Sequence, residues 1–198
     1  MDKNLKHTGT HILELLAEKY GTDKLTHGYI PHYIKHLPKK PKKILEIGCF
    51  KGASLRMWRE CFPDCELQTL DIFKQHSPPT DIGNLICHTG SQSDIKVLSM
   101  LKDYDFDVII DDGSHNSHDQ NTSFDYLFKN ALKRKGLYVV EDLHCCTEEF
   151  YRRGMKFEET ILGRIKQANA SGTSGTLAPA FPYRHHLYLD KIAFIHAD

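Results

Sequence analysis

The sequence has no surplus of charge. Its 26 Lys and Arg are matched by 26 Asp and Glu, and a net charge of zero argues against a polyanion such as nucleic acid as a partner. It has no apolar run approaching a membrane span, and the N-terminal MDKNLKHTGT lacks the apolar stretch of a secretory signal, so a cytoplasmic protein with no membrane span is expected. It has no C-x2-C pair. The six cysteines include CFPDC (61–65) and HCC (144–146), but neither has the paired spacing of a structural zinc site, and the thiols read as reduced. It also has no internal repeat and no G-x-G-x-x-G, the fingerprint that seats a pyrophosphate on a helix N-terminus. The densest basic run, PKKPKK (38–43), reads as solubilising lysines.

What is present fits one α/β core with small appendages: 198 residues, 40% apolar and 26% charged. Residues 8–20 have apolar positions at helical spacing, a threonine start and Gly21 as the stop; a polar segment (21–29) and a second brief helix, ended by Pro38, follow. From Lys43 the pattern alternates strand and helix. Strands are expected at 43–48, 66–72, 84–90, 106–111 and 137–142. Helices are expected at 54–62, at 93–102 with Ser93 as N-cap, and at 119–132 with Gly136 as the stop. Such alternation predicts a parallel sheet covered on both faces. An amphipathic helix near 156–168, a small-residue loop at 168–180 and an antiparallel hairpin at 184–196, divided by LDK, complete the chain.

In an open α/β sheet, ligands bind beyond the carboxyl ends of the strands where strand order reverses. After the first strand comes EIGCFKGAS (46–54), in which Glu46 closes the strand while Gly48 and Gly52 permit a tight turn and close approach of a ligand. Asp71 ends the second strand, where an acid commonly meets ribose hydroxyls. A loop led by an acid and poorer in glycine suits S-adenosylmethionine, which has ribose and adenine but no phosphate and carries positive charge. Ser91 and Gln92 follow the third strand within reach of an adenine, and Asp111 is placed with this cofactor set.

The fourth strand runs into VIIDDGSH (108–115) and the fifth ends in Glu141 and Asp142. Adjacent strand ends lie about 5 Å apart, so Asp112, Glu141 and Asp142 can converge on a hard cation, Mg²⁺ or Mn²⁺. His115, across a Gly-Ser turn from Asp112, is then a general base beside that cation.

YGTDK, HGY, LEIGCFKGASLRMW, LDI, GSQSD, IIDDGSH, KGLYVVEDLH and HLYLDKIAFI together resemble the class I S-adenosylmethionine-dependent methyltransferases of the macrolide-sugar (mycinamicin-type) O-methyltransferase family. The resemblance runs from about residue 18 to 196. It implies a Rossmann-like, doubly wound seven-strand sheet, mostly parallel with a C-terminal antiparallel hairpin, divided into an N-terminal helical cover (1–40) and a methyltransferase domain (41–198). It implies S-adenosylmethionine as donor, Mg²⁺ as metal and a sugar hydroxyl as acceptor. It also implies the metal role for Asp112, Glu141 and Asp142, the base role for His115, and the cofactor role for Glu46, Gly48 and Asp71. Lys24, His27 and Tyr29 of the cover are expected to face cofactor or substrate. The family carries a larger N-terminal region than the forty or so residues ahead of the first strand here, so a sugar of a surface polysaccharide or glycoconjugate is expected as readily as a natural-product sugar as acceptor. Homo-oligomerisation stays open. The competing readings are a nicotinamide-dependent oxidoreductase, which lacks its glycines, a metal-dependent hydrolase, which leaves EIGCFKG and Asp71 idle, and a non-catalytic scaffold on the same fold.

Overall fold

The stretch FDVIID forms a strand buried at all its positions, as a strand covered on both faces must be. The computed structural model describes residues 11–73, 76–171 and 183–198. This strand, β4 (Phe106–Asp111), lies mid-sheet beside β1 (Lys43–Ile47), with β2 (Glu66–Asp71) and β3 (Leu85–Thr89) beyond β1 and β5 (Leu132–Val140) on the other side. The C-terminal strands β6 (Tyr183–Tyr188) and β7 (Ile192–Ala197) complete a seven-stranded sheet of order β3-β2-β1-β4-β5-β7-β6. The first five strands pair parallel, whereas β7 runs antiparallel to β5 and β6 antiparallel to β7. This is the Rossmann-like sheet with a reversed hairpin that the sequence led us to expect. Strand order reverses between β1 and β4, which opens a crevice beyond their carboxyl ends.

Alternation along the strands feeds two cores. Leu45, Ile47, Ile109, Tyr138 and Val140 face one side with Phe124, Leu127 and Ile165, which belong to α6 (Ser117–Asn130) and α8 (Ile161–Ser171). Ile44, Val108, Ile110, Val139 and Phe194 face the other, against α1 (Ile12–Tyr20), α3 (Ile30–His36) and α4 (Ala53–Cys61). The N-terminal helices therefore share a core with the sheet, through Leu13, Leu16, Tyr29, Ile30 and Tyr33.

Several boundaries differ from expectation. Thr8 and Thr10 lie outside the described residues, and α1 is capped by His11, whose ring accepts from Leu13 N in a reciprocal pair with Glu14. Gly21 does end α1, at φ 62°. The segment 21–29 contains a short helix, α2 (Asp23–Thr26). Ser93 is engaged by Ser91, so the cap of α5 (Ile95–Ser99) falls to Asp94, which accepts from Lys96 N at 2.8 Å. Gly136 does not stop α6 but lies inside β5. The helix ends at Asn130 because Leu132 enters the sheet against Phe106, and the carbonyls of Asn130 and Ala131 accept from Asp103 N and Phe106 N. A 3₁₀ turn (Leu143–Thr147) and α7 (Glu149–Arg152) occupy a stretch that had been given no structure. Of the expected loop at 168–180, residues 168–171 continue α8 and the rest lie outside the described residues. The hairpin turn uses Leu189 and Asp190, each at φ 54°, a left-handed pair that matches the twist of its strands.

Candidate active site

Glycine makes the crevice possible. Gly48 sits at φ +90°, and a β-carbon there would come within 2.1 Å of the Asp112 carbonyl oxygen, so the turns after β1 and β4 touch backbone to backbone. Asp71 then ties the neighbouring turn down: its Oδ2 accepts from Cys49 N at 2.6 Å and its Oδ1 from Phe73 N at 2.7 Å. The result is a cavity of about 470 Å³, in the range of small-molecule sites. Gly48, Asp71, Ser91 and Gln92 line one part of it, and Asp112 and His115 another. Phe50 and Ile72 add an apolar wall, with the His76 ring edge-on to Phe50, that the sequence reading missed. The available signal was a large apolar residue in the turn after each of the first two strands, exposed here at Phe50, three residues past β1, and at Ile72, directly after β2.

Three residues expected on the cofactor do not line the cavity: Glu46, Gly52 and Asp111. Asp111 is the clearest departure. Strand alternation turns its carboxylate away from Asp112 and under α6, where Ser123 Oγ donates at 2.5 Å and Gln92 Nε2 at 3.0 Å. Burial pushes its pKa up to about 6 against those donors. Gln92 lines the cavity yet spends its amide internally, since its Oε1 also accepts from Ser114 N at 2.8 Å. Gly52 holds φ +75° at the start of α4.

Glu46 instead joins a buried charge cluster around Lys24. The Lys24 ammonium, delivered by α2, is wholly buried and lies 2.6 Å from Asp112, 2.8 Å from Glu141 and 3.3 Å from Glu46. Burial alone would lower the pKa of Lys24, but the three carboxylates outweigh it and hold the ammonium well above its ordinary value. Burial, and then the Asp112 charge, push Glu141 up against the opposing pull of Lys24 and the Tyr33 hydroxyl, which donates to Glu141 Oε1.

Asp142 is the second centre. Tyr29 donates to its Oδ1 at 2.6 Å, and His27 Nδ1, His144 Nδ1 and His115 Nε2 stand 3.6, 3.9 and 3.5 Å from its oxygens. Burial, then the bond to Asp142, hold the Tyr29 hydroxyl protonated, well above the usual phenol range. Lys24, His27 and Tyr29, all from the cover segment, thus reach the acids at the strand ends.

Asp112, His115 and Asp142 can bring one ligand atom each within 4.8 Å of one another. That set differs from the expected trio of Asp112, Glu141 and Asp142: Glu141 turns its Oε1 to Lys24 and Tyr33, and His115 stands at cation-holding distance. Two carboxylates converging at one point fit a hard divalent ion, with the imidazole beside it.

No family model matches the chain. Curated relatives are sugar O-methyltransferases, of the type that the sequence motifs resemble. A tetracenomycin-C rhamnosyl 3'-O-methyltransferase of Streptomyces olivaceus is 36% identical over 144 residues, which cover 65% of this chain and 36% of that protein. Mycinamicin VI 2''-O-methyltransferase of Micromonospora griseorubida is 36% identical over 146 residues, covering 66% of this chain and 36% of that one. The chain spans little more than a third of the length of these relatives. Among solved structures, the MycE methyltransferase of the mycinamycin pathway, in complex with Mg, SAH and mycinamycin VI, superposes with a TM-score of 0.78 at 27% identity. The match covers 96% of this chain and 54% of that one, and the seven-strand fold is the same.

Proposed function

We propose that this chain carries the catalytic unit of an S-adenosylmethionine-dependent, Mg²⁺-assisted O-methyltransferase acting on a hydroxyl of a sugar or glycosylated small molecule. The observation that carries the reading is the single cavity shared by Asp71 and the Gly48 turn on one side and Asp112 and His115 on the other. Relatives named for sugar O-methylation, and a neighbouring structure holding Mg and SAH, support it.

Bound there, S-adenosylmethionine supplies the methyl group and Mg²⁺ the positive charge that steadies an acceptor oxygen. Asp71 keeps acceptor capacity for ribose hydroxyls, because each carboxylate oxygen has a second lone pair beyond its backbone bond. Asp112 and Asp142 would hold the cation. His115 Nε2 faces the same oxygens and would take the proton of the acceptor hydroxyl, with Asp142 placed to stabilise the imidazolium. The cover residues Lys24, Tyr29 and Tyr33 exclude water beneath the acids and fix their orientation.

The acceptor belongs to a natural product or a surface glycoconjugate, and the protein acts in the cytoplasm without nucleic acid; homo-oligomers are compatible with the reading. Among the described residues no helix is long and apolar enough to cross a membrane. The test is transfer of labelled methyl from S-adenosylmethionine to a panel of glycosides, with and without chelator. Chelator-sensitive O-methylation that His115→Asn slows about 10² to 10⁴-fold is expected. Metal-dependent hydrolysis of the same glycosides, with no label transferred, would overturn the assignment.

A further inference from the structure

Thirteen histidines are many for 198 residues, and three of them gather away from the acids. His36 ends α3, His196 lies on β7 and His186 on β6; one ring nitrogen from each falls within 4.8 Å of the others. His196 pairs with Leu137, four residues before Glu141, and His186 pairs with Phe194, so both histidines project from the same face of the hairpin as Phe194. Phe194 stacks on His36 at 4.6 Å between centroids. We propose that His36, His186 and His196 form a Zn²⁺ site that joins α3 to the C-terminal hairpin, distinct from the cation site at Asp112 and Asp142.

Three features of the cluster suit the ion. His36 is pre-oriented: its Nε2 lies 2.7 Å from the Tyr188 hydroxyl, which leaves Nδ1 turned toward His196 Nε2 at 3.0 Å. Zn–N bonds of about 2.05 Å in a tetrahedral site place nitrogens about 3.3 Å apart, close to that spacing. With Nε2–H of His36 given to Tyr188, the hydrogen between the two rings belongs to His196, so Zn²⁺ replaces it as His196 changes tautomer, with no proton released. Second, the imidazoles are available in neutral form. Burial, then the neighbouring His186 and His196, lower His36 to about 4, and burial comes first in lowering His186 and His196 as well. Third, His186 is exposed and, among the described residues, makes no side-chain hydrogen bond, so a metal gains a ligand without breaking one.

Charges border the site on both sides. Lys35, which donates to Tyr188 Oη at 3.1 Å, and Arg184 oppose a dication, while Asp198 pairs with Arg184 at 3.0 Å; His32 stacks on Tyr188. Imidazole ligands with one open position are characteristic of zinc rather than magnesium. The same ion would anchor the helix whose Tyr33 holds Glu141.

The test is calorimetric titration of Zn²⁺ into chelator-treated full chain, with excess Mg²⁺ present to occupy the carboxylate site. One Zn²⁺ per chain at micromolar affinity is expected, together with a rise in Tm. His186→Ala, on an exposed edge position, should retain the fold and weaken binding by at least about 10-fold, and Tyr188→Phe by about 10-fold through loss of the orienting bond. Absence of stoichiometric Zn²⁺ binding overturns the proposal. So does binding that His186→Ala leaves unchanged, because the ion would then sit on thiols or acids elsewhere.

Discussion

His115 and Asp142 hold φ of 56° and 53°, a left-handed backbone that costs about 1–3 kcal/mol at a non-glycine residue. The strain brings the imidazole to the carboxylate across the crevice, so it separates function from stability in a testable way. Asparagine tolerates this backbone. His115→Asn should therefore leave thermal stability unchanged or raised while turnover falls about 10² to 10⁴-fold and S-adenosylmethionine affinity stays put, the range expected for losing a general base. A parallel loss of affinity would make His115 a binding residue. Asp111 makes a prediction of the opposite kind. Its folded pKa of about 6 lies above the ordinary carboxylate value, so between roughly pH 4 and 6 the folded state binds more protons than the unfolded chain. Stability contributed by this group is present below pH 4 and is lost as pH rises through 6, on the order of 2–3 kcal/mol in all. Urea unfolding of wild type and Asp111→Asn across pH 4–7 should show that decline in the difference between them. A pH-independent difference would mean that Asp111 keeps its normal affinity for protons.

Among the elements, α2 contributes most to the site for its length. Its four residues place one ammonium among three acids, and breaking a buried charge cluster by removing one partner costs about 3–5 kcal/mol. Lys24→Met should lose stability by that order in urea, and Mg²⁺ should restore part of it by replacing the missing positive charge. Equal stability with and without Lys24 would show that the acids are already protonated. The same helix marks where the sequence stopped being readable. β4 was legible because a buried strand needs a continuous apolar run, and Asp112, His115 and Asp142 were legible because they follow strand ends, where crevices form. Lys24 was expected to face cofactor or substrate, and its place among the buried acids was not legible, since its bond to Asp112 spans 88 positions and no local pattern encodes it. Asp111 was misread although the end of β4 was placed correctly, because one residue along a strand reverses the face and turns its carboxylate under α6 while Asp112 faces the crevice. The end of α6 was misplaced because tertiary partners at Asp103 and Phe106 satisfy its last carbonyls, a role the local sequence assigns to glycine.

For the whole molecule, the reversal of strand order between β1 and β4 decides where chemistry is possible, and everything else supplies walls. The two cores hold the sheet from either side. The N-terminal helices, packed into one of them, bring Lys24, Tyr29 and Tyr33 to the acids, so the site depends on the first forty residues as well as on the sheet. Asp71→Ala releases both backbone N–H groups of the cofactor turns and should weaken S-adenosylmethionine binding while leaving Mg²⁺ binding intact. The most direct measurement is calorimetric titration of S-adenosylmethionine, S-adenosylhomocysteine and NAD⁺ into the purified chain, with and without Mg²⁺. Micromolar binding of both adenosyl-sulfur ligands and no heat from NAD⁺ is the expected result. Silence from the adenosyl-sulfur ligands while Mg²⁺ still binds would contradict the account.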